Sequence, residues 1–308
     1  MRTVRLGVLS LLVPGVVFAQ AEKPCFAFLL KGDVNVSCGG TVTQVTRLGA
    51  VDQFAVSGEH SVLGYVTSAV GKQFGISAVM IFTTTLVDLK AGTIRRLTGD
   101  NFLVNTCGGL FWGYDAQRKH SGTRDLITGA EMAAAYNWFR CSSDRKVMVG
   151  TSGERGSDLY EGITSWTKIA SAGSFSHGTF SVSPNGSQVA YFADGSPLCV
   201  VAAPAVPQCA AGSATLPNAP SVDDAGQVLF TTSTPQECFY KTPSNFSIQR
   251  PAGTTGAATD ACLAVGYWRP GLKSATIVEP LGRNPQWINS TIAELLRSWA
   301  ARPRAGDR

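Results

Sequence analysis

Histidine is scarce in this sequence: His60, His120 and His177 are the only three in 308 residues. None falls in H-E-x-x-H or at another short metal-binding interval. The cysteines form no C-x-x-C pair and have no histidine close by, so the usual zinc spacing is missing as well. No G-x-S-x-G elbow, Walker loop or G-x-G-x-x-G after a strand occurs. The signals for a hydrolase nucleophile, a phosphate cradle and a dinucleotide site are therefore absent, and we expect no metal and no cofactor. Charge is sparse, with 15% Asp, Glu, Lys and Arg, a formal balance of +5 and no block of Lys and Arg. Nothing in that pattern points to nucleic acid.

Long apolar runs are also lacking. Residues 1–21 read MRTVRLGVLSLLVPGVVFAQA, with Arg2 and Arg5 before an apolar run from Leu6 to Phe18 and then Ala19-Gln20-Ala21. This is the pattern of a secretory signal peptide, and a membrane-spanning helix needs about 20 apolar residues. We expect a mature chain of residues 22–308, secreted or periplasmic, with no integral membrane segment. Cys25 follows Glu22-Lys23-Pro24 instead of standing at the cleavage point, which argues against a lipid anchor.

What the sequence does have is short strands joined by tight turns. In FSVSPNGSQVAYFADGSPLCVV, residues 180–201, Val189 to Phe192 are strand formers preceded by Ser183-Pro184-Asn185-Gly186. Pro184 presets φ near −65°, while Asn185 and Gly186 tolerate positive φ. A second turn at Asp194-Gly195-Ser196-Pro197 sends Leu198 to Val201 back as another strand. Related signals recur, ending at Tyr65, Tyr114, Gly150, Tyr191, Phe230 and Tyr267, at steps of 49, 36, 41, 39 and 37 residues. A period near 40 built from short strands is the pattern of a β-propeller.

At this point the residues resemble a family. SVSPNGSQVAYF, with a strand pair of the VDLKAGTIRRLT type, is similar to the TolB-like, WD-repeat-related propeller repeat. The likeness covers residues 25–270 in weak copies and is close only at 180–201. It implies a fold rather than a chemistry, because such propellers serve as periplasmic binding platforms and as non-catalytic partners of peptidase domains.

The expected fold is all-β: a propeller of six blades of four antiparallel strands over residues 22–285, followed by a helix and tail over 286–308. Residues 25–48 read as two outer strands that complete the last blade, whose inner strands fall around 261–278, so that the N-terminal strands close the ring. The first blade, 51–98, carries an expected loop over 67–77; the others cover about 100–132, 135–170, 180–201 and 219–249. At the C-terminal end Thr291 and Glu294 form a capping box before Ile292, Leu295, Leu296 and Trp299, predicting one amphipathic helix. Its apolar stripe packs on the propeller wall or docks a partner.

Eight cysteines suit an oxidising compartment. The blade frame selects four local bridges: Cys25 with Cys38, Cys107 with Cys141, Cys199 with Cys209 and Cys238 with Cys262.

Two classes of function remain. The favoured one is a non-catalytic platform that binds a protein or extracellular ligand through loops on one face, with Arg118, Lys119, His120, Arg124, Glu154, Arg155 and Asp194 as candidate contacts. Solvated loops and ordinary surface ion pairs account for the same residues. The other is a hydrolase or lyase at the mouth of the central channel, marked by acids or histidines from three or more blades meeting there. Asp223 and Asp224 belong to such a search, although turn formation explains both.

Overall fold

The computed structural model describes residues 24–74, 77–99, 106–107, 110–111, 123–124, 126–127, 131–132, 138–144, 146–151, 156–162, 166–175, 179–192, 197–202, 205–211, 218–233 and 263–302. These residues are organised as antiparallel sheets of consecutive strands. One sheet holds β4 (Val51–Ser57), β5 (Val62–Phe74), β6 (Ser77–Asp88) and β7 (Ile94–Gly99). Two strand pairs follow, β8 (Thr106–Cys107) with β9 (Leu110–Phe111) and β10 (Thr123–Arg124) with β11 (Glu131–Met132). Next come β12 (Trp138–Cys141) to β15 (Trp166–Phe175), then β16 (Phe180–Val182), β17 (Val189–Tyr191), β18 (Cys199–Val201) and β19 (Gln208–Cys209). The following sheet contains β20 (Asn218–Val222), β21 (Val228–Ser233), β22 (Leu263–Trp268) and β23 (Thr276–Glu279). The remaining sheet draws on both ends of the chain: β24 (Arg283–Trp287) lies beside β1 (Phe26–Leu30), β2 (Asp33–Cys38) and β3 (Thr41–Gln44).

The sheets stack face to face, and the alternation of side chains shows why. Val189, Tyr191, Cys199 and Val201 share a cluster with Val149 of the preceding sheet. Ala190, Phe192, Leu198 and Val200 pack with Val222, Val228, Phe230 and Trp268 of the following one. A strand buried on both faces needs apolar residues at every position, which is what Val189 to Phe192 supplies. Close stacking also selects glycine: a Cβ on Gly266 would stand 2.5 Å from the Phe230 ring. The first strands of successive sheets are neighbours, β12 beside β16, β16 beside β20 and β20 beside β24. Four-stranded meanders stacked around their first strands are a β-propeller arrangement.

Three expectations are corrected. Residues 261–278 do not begin a separate blade: Leu263–Trp268 and Thr276–Glu279 are the third and fourth strands of the sheet that starts at Asn218. The N-terminal segment supplies three strands rather than two, and the C-terminal end supplies only β24. That strand, RNPQW, carries no strand signal; its Pro285 falls where the ladder to β1 shifts register, between the pairs Ala27↔Gln286 and Leu29↔Arg283, so its missing N–H breaks no regular pairing. The expected loop over 67–77 is mostly strand, since β5 and β6 stay paired from Val62↔Asp88 to Phe74↔Ser77. The β-branched Thr83, Thr84 and Thr85 suit that extended hairpin.

The loop from β3 to β4 is held by Asp33, whose buried carboxylate accepts the Thr46 hydroxyl at 2.8 Å, the Leu48 N–H at 2.6 Å, the Gly49 N–H at 3.2 Å and the Gln44 amide at 3.0 Å. Helix α1 (Ser290–Ala300) follows β24. Its N-cap is Asn289, whose Oδ1 accepts the Ile292 N–H at 2.8 Å, in place of the expected Thr291 box. Ile292, Ala293 and Leu296 are buried with Ala27, Leu29, Val36, Val56, Leu63 and Leu89, so the helix seals the seam between the end-joining sheet and the sheet of β4 to β7.

Cys25–Cys38 and Cys199–Cys209 are disulfides, as expected. Cys141 is also disulfide-bonded; the pairings expected of Cys107 with Cys141 and of Cys238 with Cys262 involve side chains outside the described residues. Among the described residues no helix is long and apolar enough to cross a membrane.

Candidate functional site

The turns after β12, β16 and β20 are built to a common plan. Ser142 at the end of β12 donates its hydroxyl to Asp144 at 2.7 Å and accepts the Val147 N–H at 3.1 Å. Ser183 after β16 does the same with Asn185 at 3.0 Å and the Gln188 N–H at 3.0 Å. After β20 the role passes to Asp223, which accepts the N–H groups of Ala225 at 3.0 Å and Gln227 at 2.7 Å. Gly186, at φ +78°, completes the second of these turns; a Cβ there would stand 2.6 Å from Val147 Cγ2 of the neighbouring sheet.

The turns are tied to one another. The Ser143 N–H donates to the Pro184 carbonyl at 2.7 Å, and the Asn185 N–H donates to Asp224 at 2.9 Å. On the far side, the Gln286 side-chain amide accepts the Val56 N–H at 2.8 Å and donates to the Val56 carbonyl at 2.7 Å, copying a strand pairing. The Trp287 N–H donates to Ser221 Oγ at 3.1 Å. These bonds put the ends of β4, β12, β16, β20 and β24 at one level, around a cavity of about 1210 Å³.

Glu59, Asp144, Asp223 and Asp224 stand on the cavity wall at that end, Arg140 lies just before its turn, and Arg283 lies at the start of β24. The acids differ in their surroundings. The Ser142 hydroxyl, then the Lys146 N–H, hold the Asp144 carboxyl down at about 2, with Lys146 Nζ 3.2 Å away. Burial pushes Asp223 up, and the neighbouring Asp224 charge adds to this against the N–H bonds it accepts. A further string runs from the Tyr267 hydroxyl to Gln227 Oε1 at 2.7 Å and from Gln227 Nε2 to Asp223 at 3.0 Å. Asp144 and Asp223 are therefore committed to their turns. Glu59 has no hydrogen bond or ion pair among the described residues, and Asp224 accepts one. Burial lowers Arg140 to about 10, and its guanidinium lies 5.8 Å from the Phe180 ring centre.

Of the contacts expected from the sequence, Arg118, Lys119, His120, Glu154, Arg155 and Asp194 lie outside the described residues. Arg124 is in β10, paired with Glu131 in β11. The cavity residues Glu59, Arg140, Asp144, Arg283 and Gln286 escaped the sequence reading. The signal for Asp144 was present, since Ser142-Ser143-Asp144 matches Ser183-Pro184-Asn185. No group of three or more His, Cys, Asp or Glu among the described residues is arranged to hold a metal ion.

No protein-family model matches the chain, and no curated protein is similar to it. Among solved structures, a quinonprotein alcohol dehydrogenase-like protein from Bacteroides thetaiotaomicron superposes with a TM-score of 0.47 and 9% identity, over 87% of this chain and 79% of that one. The acylaminoacyl peptidase of Pyrococcus horikoshii gives 0.45 and 9%, over 82% of this chain and 43% of the peptidase. The β-propeller domain of the Trilobed protease from Pyrococcus furiosus gives 0.42 and 12%, over 75% and 84%. These neighbours are propeller proteins of peptidases and of a dehydrogenase-like protein at low identity, and the expected non-catalytic platform is not shown.

Proposed function

We propose that this chain is a secreted or periplasmic six-bladed propeller, closed where β24 pairs with β1, whose central cavity takes a polar small molecule as ligand or substrate. The observation that carries this reading is a cavity lined by the first strands of five sheets. Its volume of about 1210 Å³ exceeds the roughly 300–1,000 Å³ typical of small-molecule sites. Glu59 and Asp224, the acids least committed to local bonds, receive a positive or hydrogen-donating group at the mouth. The signal-like N-terminus and the disulfides support export.

The test is a thermal-shift and calorimetric panel of polyamines, basic amino acids and neutral sugars on the mature chain, with mass spectrometry of the same mixtures to read turnover. Cationic members are expected to raise Tm, and Glu59→Gln with Asp224→Asn to abolish the rise. Binding that persists unchanged in the double variant, or no binding across the panel, overturns the reading.

A further inference from the structure

We infer that the Cys25–Cys38 disulfide is a redox-sensitive latch on the C-terminal segment that lines the central cavity. Both cysteines are in direct contact with the C-terminal segment: the Cys25 carbonyl accepts the Ile288 N–H at 3.2 Å, and the Cys38 carbonyl accepts Arg297 of α1 at 3.0 Å. The segment so held lines the cavity without a break from Arg283 through Asn289. β24 has a strand ladder on one side only, with β1, whose first residues the bridge fixes; side-chain bonds to Val56 and Ser221 hold its other side. Both cysteines are half-buried. The Cys199–Cys209 bridge provides the contrast: it also joins opposed residues of a hairpin, β18 with β19, but among the described residues no hydrogen bond ties either cysteine to the C-terminal segment.

In the opening step a thiolate of a small dithiol attacks one sulfur to give a mixed disulfide. The second thiol of the dithiol then displaces it, leaving the dithiol oxidised to a disulfide and Cys25 and Cys38 each reduced and protonated. With the cross-link gone, the ladder from β1 to β24 and the seating of α1 loosen, and the cavity loses a wall. The effect on ligand binding rests on the cavity reading above; the loosening does not.

The mature wild-type chain is treated with graded dithiothreitol, trapped with iodoacetamide, and each bridge is scored by mass spectrometry beside amide hydrogen exchange. Molecules with Cys25 and Cys38 alkylated are expected to exchange the amides of residues 283–300 at least about tenfold faster, with strands 180–201 still protected. The Cys25→Ser, Cys38→Ser double variant is expected to match them, and Cys199→Ser with Cys209→Ser to leave residues 283–300 unchanged. Unaltered protection of 283–300 after reduction overturns the latch, and so does opening of the bridge only together with loss of protection throughout the chain. Exchange needs no ligand, so a working latch without any bound panel member sinks the cavity reading alone.

Discussion

The sheet of Phe180–Val182, Val189–Tyr191, Cys199–Val201 and Gln208–Cys209 is formed by one continuous stretch of chain, whereas β24, β1, β2 and β3 bring together residues more than two hundred positions apart. The first is specified locally: turn residues, strand formers and a bridge of sequence separation 10 all lie within it. The second is held by bonds that reach across the molecule, such as Gln286 to Val56 and Trp287 to Ser221. A local sheet forms from contacts cheap in loop entropy, while the end-joining sheet meets that cost late and once. The two regions are therefore expected to respond differently to matched perturbations.

Asp33→Ala should have the largest effect, a loss of about 3–5 kcal/mol on chemical denaturation, because it strips several partners from a buried carboxylate. The counterpart in the local sheet, Ser183→Ala, removes one turn hydroxyl and should cost about 1 kcal/mol. Equal losses would show that the extra partners of Asp33 add nothing beyond a single turn hydroxyl. The two bridges come next. Their loops, with separations of 13 and 10 residues, are similar, so chain entropy assigns each about 3 kcal/mol. Any excess measured for the Cys25 and Cys38 pair then reports its tie to β24 and α1.

Gln286→Ala should cost about 2 kcal/mol, since it leaves both polar groups of Val56 without their partner. A loss below a few tenths would mean that β4 and β24 do not depend on this tie. The smallest effect is read by pH. Asp144 is held down at about 2, so its contribution is complete above the ordinary carboxylate range and is lost as pH falls toward 2. Asp223 is raised by burial, so its contribution is present at low pH and lost as pH rises through its folded-state value. Asp144→Asn, which installs the group that Asn185 provides in the next sheet, should flatten the acid limb of a stability-against-pH curve; an unchanged limb would show that the turn does not feel that charge.

The local sheet was legible because each of its signals sits within reach of the next. Val189 to Phe192 showed a strand, Pro184-Asn185-Gly186 a turn, and Cys199 with Cys209 a staple. β24 was not legible: Arg283, Asn284, Pro285 and Gln286 read as loop residues, and they are extended because β1 offers a free edge. The same limit governs the cavity. Asp223 and Asp224 were visible as turn formers, but their place beside Asp144 and Glu59 follows from how sheets distant in sequence stack.

The sequence by itself determined the repeat, the turn chemistry, two disulfide partners and an apolar stripe for the final helix. Each depends on neighbours within a few tens of residues, where side-chain alternation and turn propensity act. Only the tertiary structure decided which strands share a sheet at the chain ends, where α1 docks and which acids face a common cavity. Those choices are set by complementary edges and faces meeting across long loops, and linear spacing carries no record of them.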